Sequence, residues 1–242
     1  MRFTAERRLD DGVLEREFTL DDIPGYLWTS DAAPAPLILL GHPGGLPTMY
    51  PRLAARARHT VAAGFAAATL ELPGCGKRPR STVADEARAD LRRAVRAGGP
   101  VADEIVDRLV LPPIEEAVPE VRAALDALLE VPGIGGPVGY AGGVTALGLR
   151  LAVVEPRLAA LLLFAGSYVP RAVVEEARRV TVPVLVLLQW DDVDNDRQRA
   201  LDVFDALGSA EKTLHANTGG HTGVPAFEGD DANRFFARHL LR

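Results

Sequence analysis

Short apolar runs alternate with helical patterns over most of this chain, and that alternation restricts the fold more than any other feature. Leu37–Leu40, Phe65–Leu70, Gly136–Tyr140, Leu158–Phe164, Val182–Gln189 and Lys212–Ala216 read as strands. Apolar runs this short, bounded by turn residues, read as strands covered on both faces. Helical spacing occupies Met49–Ala63, Ile114–Glu130, Val144–Val154, Ala172–Val180, Asn195–Leu207 and Ala226–Leu241 between and after them. Successive strands joined by helices are expected to lie parallel, with the helices packed on both faces of the sheet. Upstream, Leu14–Leu20 and Ile23–Trp28 flank Asp21-Asp22 and predict an edge hairpin, for about eight strands in all.

The rhythm fails once. Between Lys77 and Pro113 there is no strand pattern, only Val83–Ala97 and Val101–Leu109 at helical spacing, split by Gly98-Gly99-Pro100. This predicts a helical insertion over about residues 78–113 of a single domain spanning 1–242. Placed above the carboxyl ends of the strands, it sits where open α/β sheets bind ligands. It is read either as a lid or cap over a pocket or as an ordinary surface excursion.

Composition removes several classes of function. The 242 residues, 48% of them hydrophobic, suffice for one sizeable core. A net charge of −6 argues against nucleic acid or an anionic membrane surface as partner. Cys75 is the single cysteine, so there is neither an intramolecular disulfide nor a cysteine-rich zinc site. The charged start, MRFTAERRLDDG, lacks the apolar centre of a signal peptide, and no apolar run reaches membrane-spanning length. A cytoplasmic enzyme or binding protein is the expectation, with the oligomeric state open.

One segment carries chemistry. Gly136-Pro137-Val138-Gly139-Tyr140-Ala141-Gly142-Gly143 stands between a strand and a helix and has the frame Gly-x-Ser-x-Gly with Ala141 at the centre. Such a frame holds a nucleophile on a sharp strand-to-helix turn, where side chains at the glycine positions would collide with nearby backbone. Taken alone, the frame is weak. Beyond it, the strand Val182–Gln189 ends at Trp190-Asp191-Asp192, and the last strand is followed by Gly219-Gly220-His221. Nucleophile position, acid and histidine therefore follow three different strands in that order. Near the start, His42-Pro43-Gly44-Gly45 follows a strand end; Pro43 has no N–H, which leaves Gly44 as one oxyanion donor and Gly142 as the other.

On these residues the sequence resembles the α/β-hydrolase superfamily, and within it the dienelactone-hydrolase-like esterases. The resemblance runs over nearly the whole chain. It is most specific from Leu187 through Asp192 and from Leu214 through His221. It implies a three-layer α/β-hydrolase fold, a small carboxyl-ester or lactone substrate, and no cofactor; no metal site is expected either. It also implies a serine or cysteine where Ala141 stands.

In this reading Asp192 accepts the Nδ1–H of His221, and His221 is the general base. Asp191 and Asp194 compete for the role of acid, and the whole acidic stretch also reads as a loop capping the next helix. His42 is read as structural, and His59, His215 and His239 as surface or packing residues. Cys75 faces the pocket or fills space. Tyr140 lines the pocket or packs beneath it, and Trp190 is a pocket wall or a rim contact. Lys77, Arg78 and Arg80 read as a solvated basic face rather than a seat for a substrate carboxylate. Alanine cannot attack a carbonyl. The favoured reading is therefore an inactivated ester hydrolase; a metabolite-binding pseudo-hydrolase, or a non-covalent lyase or cyclase using His221 and Asp192, are the alternatives.

Overall fold

The structure, a computed structural model, describes residues 1–31, 34–164, 166 and 168–241. Three strands form one edge of the sheet, β1 (Arg2–Arg8), β2 (Leu14–Leu20) and β3 (Ile23–Thr29). They lead to β4 (Ala35–Gly41), β5 (Ala66–Leu70), β6 (Ile134–Gly142), β7 (Leu158–Phe164), β8 (Val184–Gln189) and β9 (Lys212–Asn217). The order across the sheet is β1-β2-β3-β5-β4-β6-β7-β8-β9. Pairing is antiparallel from β1 to β5 and parallel from β5 to β9.

The helices are α1 (Leu46–Ala62), α2 (Thr82–Arg96), α3 (Asp103–Leu129), α4 (Thr145–Val154), α5 (Arg171–Ala177), α6 (Arg197–Ala206) and α7 (Phe227–Leu240). Alternate residues of each central strand point to opposite faces. Leu37, Leu39, Val138, Leu161 and Leu163 therefore pack under α3, α4, α5 and α6. Ile38, Leu40, Ala141, Leu162 and Leu187 pack under α1 and α7. Both faces are covered, which is why the parallel strands read as unbroken apolar runs.

Three boundaries differ from expectation. The sheet has nine strands rather than about eight, because Arg2–Arg8 forms an edge strand on β2. Every residue of β1 is exposed, so it has no apolar face for a sequence pattern to report. The stretches Val101–Leu109 and Ile114–Glu130 are one helix, α3, which runs through Pro112 and Pro113. Each proline removes a donor and crowds the preceding turn. The helix continues because its second half buries Ile114, Ala117, Val121, Ala124, Leu125 and Leu128 against the sheet. Lastly, β6 extends to Gly142 instead of ending at Tyr140, and this two-residue extension decides the geometry of the site.

Candidate active site

Gly142 is the last residue of β6, paired with Gly41 on one side and Leu163 on the other. Helix α4 begins at Thr145, with Val144 at its N-cap. The strand-to-helix turn is thus Gly143-Val144. Ala141 lies inside the strand, buried in the layer under α1 and α7. This corrects the expected position of Ala141: its methyl group belongs to the sheet, not to the tip of a turn.

The glycines carry the same message. A Cβ on Gly142 would lie 2.5 Å from the Gly41 Cα, so only glycine fits there. A Cβ on Gly143 would meet nothing closer than Phe164, at 3.9 Å. Gly139 is also closed to a side chain, since a Cβ there would lie 2.7 Å from Phe236 and 2.8 Å from Ile38, so each frame has one glycine the packing requires. It is the end of β6 at Gly142 that puts the turn in the frame Gly142-x-Val144-x-Ala146, with Ala146 buried. Sequence reasoning missed Val144 and Thr145. The signal that bore on it was the helical pattern beginning at Val144, immediately after the Gly142-Gly143 pair.

Val144 has φ −102° and ψ 77°. The only described non-glycine residue with positive φ is Asp21, far from the turn. The tip is therefore unstrained. Tyr140 fixes it from below, its hydroxyl donating to the Val144 carbonyl at 3.2 Å. Tyr140 is 2% exposed and packs under α3 and α4, so it underlies the turn rather than forming a pocket wall. Burial pushes its phenol pKa far up, so the hydroxyl stays protonated and remains a donor.

Asp192 and His221 meet. The His221 Nδ1 lies 2.7 Å from Asp192 Oδ2. Asp192 is 8% exposed and also accepts from Asn195 Nδ2 at 2.7 Å and the Asp194 N–H at 3.0 Å. Burial by itself raises the Asp192 carboxyl pKa. The bonds from His221, Asn195 and Asp194 outweigh it and hold the group below the usual carboxylate range. Asp191 instead accepts the Gly219 N–H at 3.1 Å, and so anchors the histidine loop. Phe164 lies against the His221 ring, centroids 5.5 Å apart. Nε2 of His221 makes no hydrogen bond among the described residues.

The loop after β4 is held by two buried side chains. His42 is 2% exposed, with Nε2 at 2.8 Å from the Leu70 carbonyl and Nδ1 against the Gly44 carbonyl. Burial lowers its pKa, opposed by the two carbonyls, and the ring ties the loop to β5. Glu71 accepts the Leu46 N–H at the start of α1, at 3.0 and 3.1 Å. A carboxylate at a helix N-terminus is favoured by the helix dipole. Gly44 thus stands on a fixed loop. Gly142, by contrast, is a ladder residue between two strands; the amide that follows the turn tip is that of Thr145, at the orphan N–H end of α4.

A cavity of about 320 Å³ opens beside this turn. Its walls include Pro43, Cys75, Gly143, Val144 and Thr145, with Arg88 of α2 and Leu109 and Val110 of α3 as its cover. Cys75 is half-buried there, and burial raises its thiol pKa, which disfavours the thiolate. Trp190 lies outside the cavity: it is 42% exposed, and Arg197 stacks on it at 4.2 Å. Arg78 is bound to Glu116, Glu120 and the Glu71 carbonyl, and Arg80 to Asp85, so neither points a free cation at the cavity. One group among the described residues has metal-ligand spacing, His215, Glu228 and Asp231, with ligand atoms within 4.8 Å of one another. His215 and Asn217 already bind Glu228, and Arg234 pairs with Asp231.

No protein-family model and no curated protein matches the chain. Solved structures do. A PEG-bound cold-adapted esterase from an Arctic intertidal metagenomic library is 29% identical over 99% of this chain and 100% of its own, with TM-score 0.77. An acetyl xylan esterase from a Thermoanaerobacterium species is 14% identical over 98% of this chain and 87% of its own, with TM-score 0.65. Est1E from Butyrivibrio proteoclasticus, solved with ferulic acid bound, is 12% identical over 92% of this chain and 98% of its own, with TM-score 0.65. With the strand order above, these likenesses identify the α/β-hydrolase fold.

Proposed function

We propose that the chain is a carboxylester hydrolase that works without a covalent nucleophile. The His221–Asp192 bond of 2.7 Å, with Asn195 of the cavity wall bonded to Asp192, carries this reading. The likeness to an esterase at 29% identity supports an ester as the substrate class. The ester occupies the cavity beneath α2 and α3, with its carbonyl oxygen facing the N–H groups of Gly44 and Thr145. A water molecule attacks the carbonyl carbon, and His221 Nε2 takes its proton. Asp192 stabilises the imidazolium formed, and His221 then returns the proton to the departing alkoxide. Acyl-enzyme chemistry is closed at both candidate positions, since Ala141 and Val144 offer no attacking atom.

The unstrained backbone at Val144 favours a second reading, a binding protein that keeps the ester cavity and has lost turnover. Short-chain nitrophenyl esters and lactones distinguish the two. Slow turnover by the chain as it stands, lost in His221→Ala, supports hydrolysis; tight ester binding without turnover supports the second reading. Val144→Ser is expected to raise kcat/KM on the order of a hundredfold, with burst kinetics and labelling by a serine-directed phosphonate. Ala141→Ser is expected to do neither. The reverse result, a gain at 141 and none at 144, overturns the placement of the turn.

A further inference from the structure

A second cavity, of about 400 Å³, lies on the other face of the sheet between α1 and α7. Its floor is apolar, formed by Ile38, Leu40, Ala141, Leu162, Leu187 and Phe236. Its wall is cationic. Arg52 and Arg56 stand one turn apart on α1, and both line the cavity. Arg56 Nη2 donates to the Ala141 carbonyl at 2.9 Å, which holds the guanidinium over the floor.

Among the described residues neither Arg52 nor Arg56 forms an ion pair, whereas Arg58 on the same helix meets Asp11 at 2.5 Å. Glu228 also lines the cavity, but it is buried, and its two oxygens are taken by His215 at 2.9 Å and Asn217 at 2.7 Å. His59, on the same wall, faces Asp230 at 3.1 Å. Both arginines reach solvent, so water screens their charge; what the cavity offers is two unpaired cations at the rim of an apolar floor, the arrangement that suits an anion with an apolar body.

We propose that this cavity binds an amphipathic organic carboxylate, its head on Arg56 and Arg52 and its aliphatic or aryl tail on the floor. It is distinct from the ester cavity: among the described residues only Gly143 lines both. The site requires no turnover, so it stands or falls independently of the esterase reading.

Calorimetric titration of the intact chain with octanoate and with octan-1-ol tests it. Octanoate is expected to bind one per chain, about tenfold or more tighter than the alcohol, because a charge-assisted bond supplies the difference. Arg56→Gln is expected to weaken octanoate about tenfold and leave octan-1-ol unchanged. Ala141→Leu, which fills the floor without touching the cations, is expected to abolish both. The comparison of the two ligands on the unmodified chain needs no variant to fold. Equal binding of acid and alcohol overturns the proposal. So does an octanoate affinity indifferent to Arg56→Gln in a folded variant, or no octanoate binding at all.

Discussion

A Cβ at Gly142 would lie 2.5, 2.6 and 2.7 Å from the Cα, O and N of Gly41, all backbone atoms of the neighbouring strand. Backbone paired in a central sheet cannot move aside as a side chain can. Gly142→Ala is therefore expected to lower the free energy of unfolding by about 3 kcal/mol or more. Gly143 has open space around it and no positive φ, so Gly143→Ala is expected to cost under about 1 kcal/mol. Urea unfolding of the two variants measures the difference, and equal costs contradict a turn at Gly143-Val144. This pair of glycines also explains why the sequence misplaced the turn. Gly139, Gly142 and Gly143 support two overlapping frames, and only the pairing of Gly142 with Gly41 and Leu163, remote in sequence, carries β6 past Ala141 and moves the turn. Asp192 and His221 each follow their own strand, but Asp191 and Asp194 stand in the same loop as Asp192, and it is the bond from His221 to Asp192, with Asp191 turned to the Gly219 N–H, that separates them. Tyr140 and Trp190 each had two readings: Tyr140 precedes Ala141 along β6, so its side chain points to the opposite face, and Trp190, just past the end of β8, is an exposed residue stacked by Arg197.

At the scale of elements, legibility followed tertiary cover. The five inner parallel strands, covered on both faces, were readable as apolar runs, while the edge strands β1, exposed at every residue, and β9, with no buried residue, lack such a run. The two halves of α3 were read as separate because local propensity opposes prolines inside a helix, and packing against the sheet overrode it. A buried carboxylate joins such elements at the end of α4. Glu155 has a side chain 1% exposed, bound by Arg157 Nε at 2.7 Å and Nη2 at 2.8 Å and by Arg122 of α3 at 3.2 Å. The Arg157 bonds chiefly depress its pKa from 4.5 to about 2. A depressed carboxyl stabilises the fold in full above its unfolded pKa and loses that contribution as pH falls through its folded pKa. Glu155 is thus expected to contribute up to about 3 kcal/mol near neutral pH, declining between pH 4.5 and about 2. Glu155→Gln should be less stable than the unmodified chain near pH 7, with the gap narrowing across that window in denaturant titrations. A gap independent of pH contradicts an ionised, arginine-bound Glu155.

Across the whole molecule, stability is unevenly placed, and the helix α2 over the cavity beside the Gly143-Val144 turn lies at the weak end. The sheet and its two helical layers bury almost every apolar side chain of the central strands, whereas α2 buries only Ala87. It is held by its packing on α3 and by ion pairs such as Arg108 with Asp90 at 2.7 Å, which contribute little at an exposed surface. The segment leading into it is tied down better. Arg78, 12% exposed at its side chain, reaches Glu116 at 2.9 Å, Glu120 at 2.5 Å and the Glu71 carbonyl at 3.1 Å. Regions with few buried contacts open locally, at a free energy below that of global unfolding. Native-state hydrogen exchange is therefore expected to find α2 exchanging by local opening while β6, β7 and β8 exchange only with global unfolding. Arg78→Met removes the tie without touching the sheet. Exchange over residues 74–97 should rise about tenfold, with the sheet amides and the unfolding midpoint nearly unchanged. A uniform rise across α2 and the sheet contradicts an independently opening cover. If the rise is confined to that segment, the ester cavity has a door set by Arg78, and ester binding rates should increase in the same variant.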